Sequence, residues 1–261
     1  MYTADSYVFA RSADEALALL RDDPKSAVIA GGVWMHLGNT SYSTLIDLSR
    51  LGLDRVQETA EGFSVGAMVP LRKAETDPLL RAYAGGVLAR AVGSIVGVQL
   101  RSAATFGGSV AGRFGFSDVI TALLALDAKV VCAGAGTMEL SEFLSAKPKR
   151  DIVLSLLLPA DARRAAYETR RLTATDIGIL NVCVASVPDG TWRVSIGARP
   201  DIAVRCTAAE EALASGDIDA AVRAAEALKY GSNPRGSAEY RRKISGVLLR
   251  RAWDTLSGGA K

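Results

Sequence analysis

Two pairs of adjacent glycines carry the clearest chemical potential in this chain. Gly31-Gly32 lies in Ala30-Gly31-Gly32-Val33-Trp34-Met35, directly after the apolar run Ala27-Val28-Ile29. Gly107-Gly108 lies in Thr105-Phe106-Gly107-Gly108-Ser109, ahead of Ser117-Asp118 and the apolar stretch from Val119 to Leu124. Residues without a Cβ let the backbone approach a ligand and turn successive N–H groups toward one anion. Two such loops could clamp a pyrophosphate from two sides, which points to a dinucleotide cofactor. Other reactive chemistry is scarce. The sole histidine, His36, excludes a multi-histidine metal site and an H-E-x-x-H motif within the chain. Cys132, Cys183 and Cys206 are far apart and have no cluster spacing, so they read as reduced, buried thiols. Gly134-Ala135-Gly136 imitates the start of a G-x-G-x-x-G fingerprint, but no helix follows it, so it reads as a hairpin turn.

The elements that must position these residues can be read from pattern. Ser12-Ala13-Asp14-Glu15 is a capping box opening a helix through Leu20, and Asp23-Pro24 ends it. Ala27 to Ala30 and Thr44 to Leu48 read as strands of a small parallel α/β unit. Asp54 to Val69 reads as a hairpin turning at Glu61-Gly62. Helices are expected from Asp77-Pro78 through Leu80, over Gly86 to Ile95, and from Ser117 to Leu126, with a hairpin across Lys129 to Leu140. Lys147-Pro148-Lys149-Arg150 reads as a polar hinge. Beyond it, strands are expected at Ile152–Leu158, Ala165–Arg170, Ile179–Val187 and Trp192–Ile196. Helices are expected at Ala208–Ala214, Asp219–Tyr230 and Ser237–Leu256.

Composition narrows the class. Of 261 residues 49% are apolar, enough for a sizeable core in one large domain or two smaller ones. Thirty-one basic against 28 acidic residues leave a net charge of +3, which gives no case for a nucleic-acid partner. No apolar run approaches the ~18 residues that would span a bilayer, and the start of the chain has no signal-peptide pattern, so a cytoplasmic location is expected.

Several motifs in order resemble one family. They are Ala30-Gly31-Gly32, Leu45-Ile46-Asp47-Leu48, Val65-Gly66-Ala67, Gln99 to Ser109, Ser117-Asp118, Leu123 to Ala128 and Arg235-Gly236-Ser237-Ala238-Glu239-Tyr240-Arg241-Arg242. The series is similar to the FAD-binding medium subunit of the molybdenum hydroxylases, which include xanthine dehydrogenase, aldehyde oxidase and carbon monoxide dehydrogenase. The family patterns are A-G-G-T-D, L-I-D-L, I-G-A, I-R-N-x-x-T-x-G-G-N, an acidic residue before L-x-A-L-x-A, and R-G-S-x-x-Y-R-R.

The resemblance implies an α+β fold. A PCMH-type FAD-binding domain over residues 1–150, with subdomains of about 1–53 and 54–150, would precede a C-terminal flavoprotein domain over 151–261 made of an antiparallel sheet and a helical cluster. It implies FAD contacts from Ile29, Ala30, Gly31, Gly32, Val33, Trp34 and Met35 in the first loop, and from Thr105, Gly107, Gly108 and Ser109 in the second. Asp118 matches an acidic contact, and Ile95 and Val153 match apolar residues lining the cofactor. For Asp118 a first-turn helix acid favoured by the helix dipole is an equal reading, and for Trp34 core packing is the alternative. The chain departs from the family at Val33-Trp34, Ser102 and Ser109, where a Thr-Asp pair and two asparagines are replaced. The implied function is an electron-transfer subunit of a heterotrimer. Molybdopterin would sit on a large partner subunit and 2Fe–2S clusters on a small one. Electrons would pass through FAD to NAD or another acceptor. An assembly subunit that no longer binds FAD is the alternative.

Overall fold

The computed structural model describes residues 1–258. β1 (Thr3–Phe9), α1 (Ala13–Asp22), β2 (Ala27–Ile29) and β3 (Ser41–Asp47) open the chain. β4 (Val56–Thr59) and β5 (Gly62–Gly66) are followed by short helices α2 (Lys73–Thr76), α3 (Pro78–Ala82), α4 (Val87–Gly93), α5 (Val98–Ala103) and α6 (Phe106–Ala111), then by α7 (Asp118–Ala125). β6 (Lys129–Cys132), β7 (Gly136–Glu139) and α8 (Leu140–Ser145) lead to β8 (Val153–Pro159). The last part runs β9 (Arg164–Arg170), β10 (Leu180–Ser186), β11 (Trp192–Gly197), β12 (Val204–Arg205), α9 (Thr207–Ala214), α10 (Ile218–Glu226) and α11 (Ala238–Ser257). The fold class is α+β, as the sequence leads one to expect.

Two compact units interleave along the chain. The first comprises Met1–Lys73, Val98–Gly112 and Lys129–Leu158; the second comprises Ala74–Gly97, Arg113–Ala128 and the residues from Pro159 on. α7, buried along its whole length, packs on β10 and β11 and so joins the second unit.

In the first unit a parallel sheet of order β1-β3-β2 backs the first glycine segment. β1 is exposed at nearly every position and has no apolar alternation, which hides it in the sequence. It is held by side chains: Tyr7 donates to Asp47, and Arg50 lies 4.1 Å from the Phe9 ring centre. α1 starts as its capping box requires, with Ser12 Oγ accepting from the Glu15 N–H at 3.1 Å. Its Ala16 and Leu20 bury against Ile46, Leu48 and Ile152. A second sheet has the order β4-β5-β8-β6-β7, with Gly136 in the left-handed region at the expected hairpin turn.

Lys147–Arg150 is not a free hinge. The Arg150 guanidinium donates to the carbonyls of Leu20, Asp23, Pro24 and Ser26, and so ties off the end of α1. An arginine at a helix C-terminus meets the orphan carbonyls and the negative end of the dipole together.

In the second unit the antiparallel sheet β12-β11-β10-β9 is covered on both faces. Leu180, Val182, Val184, Val194 and Ile196 pack on Ala209, Leu213, Ala221, Ala225, Leu248, Leu249 and Ala252 of the C-terminal helices. The opposite face meets α7, where Ser195 Oγ donates to the Thr121 carbonyl. Asp127, at the end of α7, accepts from Arg163, Arg193 and Arg205 and so fixes that helix to the sheet.

Candidate cofactor site

The first glycine segment leaves the buried end of β2 at Ile29 and enters a 3₁₀ turn at Met35–Leu37. Gly32 has φ +65°, a left-handed conformation that other residues adopt only with strain. Among the described residues, no acceptor is found for the N–H groups of Gly31, Gly32 and Val33, while the Gly32 carbonyl accepts from the His36 N–H at 2.9 Å. Three consecutive N–H groups around a left-handed residue form a concavity suited to an anion. Gly31 is required for a different reason. A Cβ there would lie 1.8 Å from the Ala103 carbonyl oxygen, so only glycine lets this loop close on the end of α5. That contact brings the two glycine segments together within the first unit.

The second segment is not a loop. Thr105, buried and extended, caps α6, and its Oγ1 accepts from the Gly108 N–H at 3.0 Å. The Phe106 N–H donates to Val69, that of Gly107 to Ala67, and that of Ser109 to Thr105. The N–H groups of Phe106, Gly107, Gly108 and Ser109 therefore all have a protein acceptor. Gly107 is there for packing: an added Cβ would sit 2.4 Å from the Ala67 Cβ and 2.7 Å from the Ala67 backbone. The same close approach recurs at Gly66, where a Cβ would lie 2.1 Å from the Leu53 carbonyl oxygen. Val65-Gly66-Ala67 is thus the platform on which the second glycine turn rests. Ser109 Oγ donates back to the Thr105 carbonyl at 2.8 Å.

The other expected site residues fall in different places. Trp34 is 41% exposed, which excludes core packing. Val153 is buried at the start of β8, opposite Cys132. Ile95 and Asp118 belong to the second unit. Ile95 is half-buried just after α4 and donates its N–H to the Val92 carbonyl at 2.8 Å. Asp118 begins α7, but Ser117, not Asp118, is the cap. Its carboxylate is buried and accepts from the Tyr167 hydroxyl at 2.5 Å and from Arg171 Nη2. Burial pushes the Asp118 carboxyl up from its usual range, against the pull of Arg171 and Tyr167. Burial first, and the neighbouring carboxylate second, raise Tyr167 well above the ordinary phenol. Arg171 and Tyr167 were not foreseen: an arginine at the end of a strand and a tyrosine inside one carry no sequence signal for a buried carboxylate.

The residues of the first segment fit a pyrophosphate, since unused N–H groups surround a glycine that cannot be replaced without strain. The second segment fits it only as a support.

Residues 2–161 match the family model described as the FAD binding domain in molybdopterin dehydrogenase, and residues 165–256 that of the CO dehydrogenase flavoprotein C-terminal domain. The chain belongs to this FAD-binding family. It is therefore an FAD-binding subunit of a molybdenum hydroxylase-type dehydrogenase, and FAD is its cofactor. This flavoprotein is 27% identical over 268 residues, 94% of each chain, to the nicotine 6-hydroxylase medium subunit of Paenarthrobacter nicotinovorans. It is 24% identical to the glyceraldehyde dehydrogenase medium chain of Sulfolobus acidocaldarius, over 97% of this chain and 98% of that one. Its fold superposes with a TM-score of 0.86 on a carbon monoxide dehydrogenase chain from Hydrogenophaga pseudoflava, at 24% identity and covering 95% and 96% of the two chains. Among the described residues, no helix is long and apolar enough to cross a membrane, and no group of His, Cys, Asp or Glu could hold a metal ion.

Proposed function

We propose that this flavoprotein is the electron-transfer subunit of a heterotrimeric molybdenum hydroxylase. It would take electrons from 2Fe–2S clusters on a small partner subunit, fed by molybdopterin on a large one, and pass them to NAD or another acceptor. The observation that carries this reading is the set of unused N–H groups at Gly31, Gly32 and Val33. Bound FAD supplies the redox chemistry, and the protein's part is to bind and orient it. Ile29 to Met35 hold the pyrophosphate in the first loop, with Gly32 giving the turn its shape. Thr105, Gly107, Gly108 and Ser109 set the opposing backbone, and Gly107 fixes it on Ala67. Ile95, Asp118 and Val153 are proposed as further contacts on the family resemblance alone. The proposed division of labour places FAD binding in residues 1–150 and a flavoprotein module in 151–261. The proposed location is the cytoplasm.

Purification from the native host tests this. The expected result is a yellow complex with a molybdopterin chain and an iron–sulfur chain, releasing FAD rather than FMN on denaturation. The isolated flavoprotein should oxidise no hydroxylase substrate, yet reduce a dye with NADH. Colourless protein that takes up no FAD would favour an assembly subunit, and a lone homo-oligomer active on substrate would refute the subunit reading.

A further inference from the structure

Tyr2 lies outside every motif that carries the family resemblance, yet its side chain ends at the first glycine segment, and both belong to the first unit. Its backbone leads into β1, whose start is fixed against β3. The Thr3 N–H donates to the Thr40 carbonyl at 3.2 Å, and the Thr3 and Ser41 hydroxyls bond each other at 3.0 Å. The half-buried Tyr2 ring meets Tyr42 of β3 in an edge contact, with centroids 6.4 Å apart and planes at 68°. An edge contact of this kind fixes a ring's orientation. The Tyr2 hydroxyl then lies 3.5 Å from the position that a Cβ on Gly32 would take, and Ile29 Cδ1 lies 3.6 Å from the same point. A side chain at position 32 would stand against the hydroxyl, and its absence leaves that side of the turn open.

The Tyr2 hydroxyl has no hydrogen-bond partner among the described residues. The N–H groups of Gly31, Gly32 and Val33 beside it have no acceptor there either. A phenol oxygen can itself accept from a backbone N–H, but none of these N–H groups donates to it. The turn therefore gathers donors and supplies no acceptor. The group that such a set lacks carries several lone pairs and negative charge, which describes a phosphate. A phenol donating to an anionic oxygen makes a short, charge-assisted bond. A tyrosine already held by ring packing gives up little side-chain freedom in making it.

We propose that Tyr2 is a phosphate-binding residue of the first glycine cradle, its hydroxyl donating to the same pyrophosphate as the N–H groups of Gly31, Gly32 and Val33. Tyr42 positions the ring, and the neutral phenol adds a donor without adding a charge. The proposal rests on the reading of the chain as an FAD-dependent electron carrier.

The full-length protein, stripped of flavin, is titrated with FAD, and ADP, which carries a diphosphate without the flavin, is used to displace it. Wild type is compared with Tyr2→Phe, which keeps the ring and loses only the hydroxyl. The expected result is that Tyr2→Phe weakens FAD and ADP by the same factor, at least about tenfold, the loss expected for a hydrogen bond to a charged group. The melting temperature of the flavin-free protein should stay where it is, because the hydroxyl bonds to no described residue. Equal FAD affinity in the two proteins overturns the role of Tyr2 and leaves the electron-carrier reading standing. A loss for FAD without a loss for ADP, or FAD that ADP fails to displace from wild type, overturns the phosphate assignment. A lower melting temperature of flavin-free Tyr2→Phe makes Tyr2 a packing residue and overturns it as well. Wild type that takes up no FAD overturns the electron-carrier reading too.

Discussion

In the first glycine segment the N–H groups of Gly31, Gly32 and Val33 have no acceptor among the described residues, whereas in the second those of Phe106, Gly107, Gly108 and Ser109 all do. The dipeptide is the same and its use differs. Gly32 is needed for its left-handed backbone, Gly107 for the 2.4 Å approach of its missing Cβ to Ala67. A glycine pair in a nucleotide-binding protein thus signals a close approach, but the approach can be to a ligand or to the protein's own backbone. Only the hydrogen-bond inventory tells the two apart.

The sharpest way to break this comparison is at the packing glycine. Gly107→Val forces a branched side chain into Ala67 and should lower the melting temperature by roughly 5–10 °C, since overpacking costs about 1–3 kcal/mol or more and each kcal/mol is about 2–4 °C at this size. A thermal melt unchanged from wild type would remove the packing role. Thr105→Ala loses the α6 cap and should cost about 1 kcal/mol, or about 2–4 °C, in the same melt. Gly108→Val is milder: its Cβ would meet only Thr105 Oγ1 at 3.0 Å, and its N–H is already used. It should weaken FAD far less than a change at Gly32, as flavin fluorescence titration would show. The smallest effect is expected from Ser109→Asn. The Ser109 hydroxyl serves only its own helix, so the family's asparagine should leave FAD affinity unchanged or tighten it a few-fold, measured by the same titration.

Much of this was legible in the sequence because apolar period and capping residues agree. The Ser12–Glu15 box, the Ala27–Ile29 strand, the α7 stretch and the β9 to β11 hairpins form where their patterns place them. β1 was missed because Thr3–Phe9 is exposed on both faces and is ordered by side-chain contacts from Asp47 and Arg50. α6 was read as a loop because two glycines outweigh helix propensity locally, while Thr105 and the Ala67 platform decide otherwise. Arg150 reads as part of a hinge because the clasp it makes around the end of α1, with six hydrogen bonds, joins residues more than 120 positions apart. At the site, the glycines and Asp118 are legible in the sequence, and the buried partners of Asp118, Tyr167 and Arg171, are not.

The most direct test of the central claim, that the first segment is the anion cradle, is the FAD dissociation constant of Gly32→Val beside that of wild type, with a melt of each. Beyond the strain of about 1–2 kcal/mol from forcing a non-glycine residue into a left-handed conformation, an added Cβ would make only ordinary van der Waals contacts there, the nearest being the Tyr2 hydroxyl at 3.5 Å. The account predicts a folded Gly32→Val protein whose FAD affinity falls by about two orders of magnitude or more, as expected when several hydrogen bonds to a charged group are lost together. A folded Gly32→Val protein that binds FAD as tightly as wild type would contradict it.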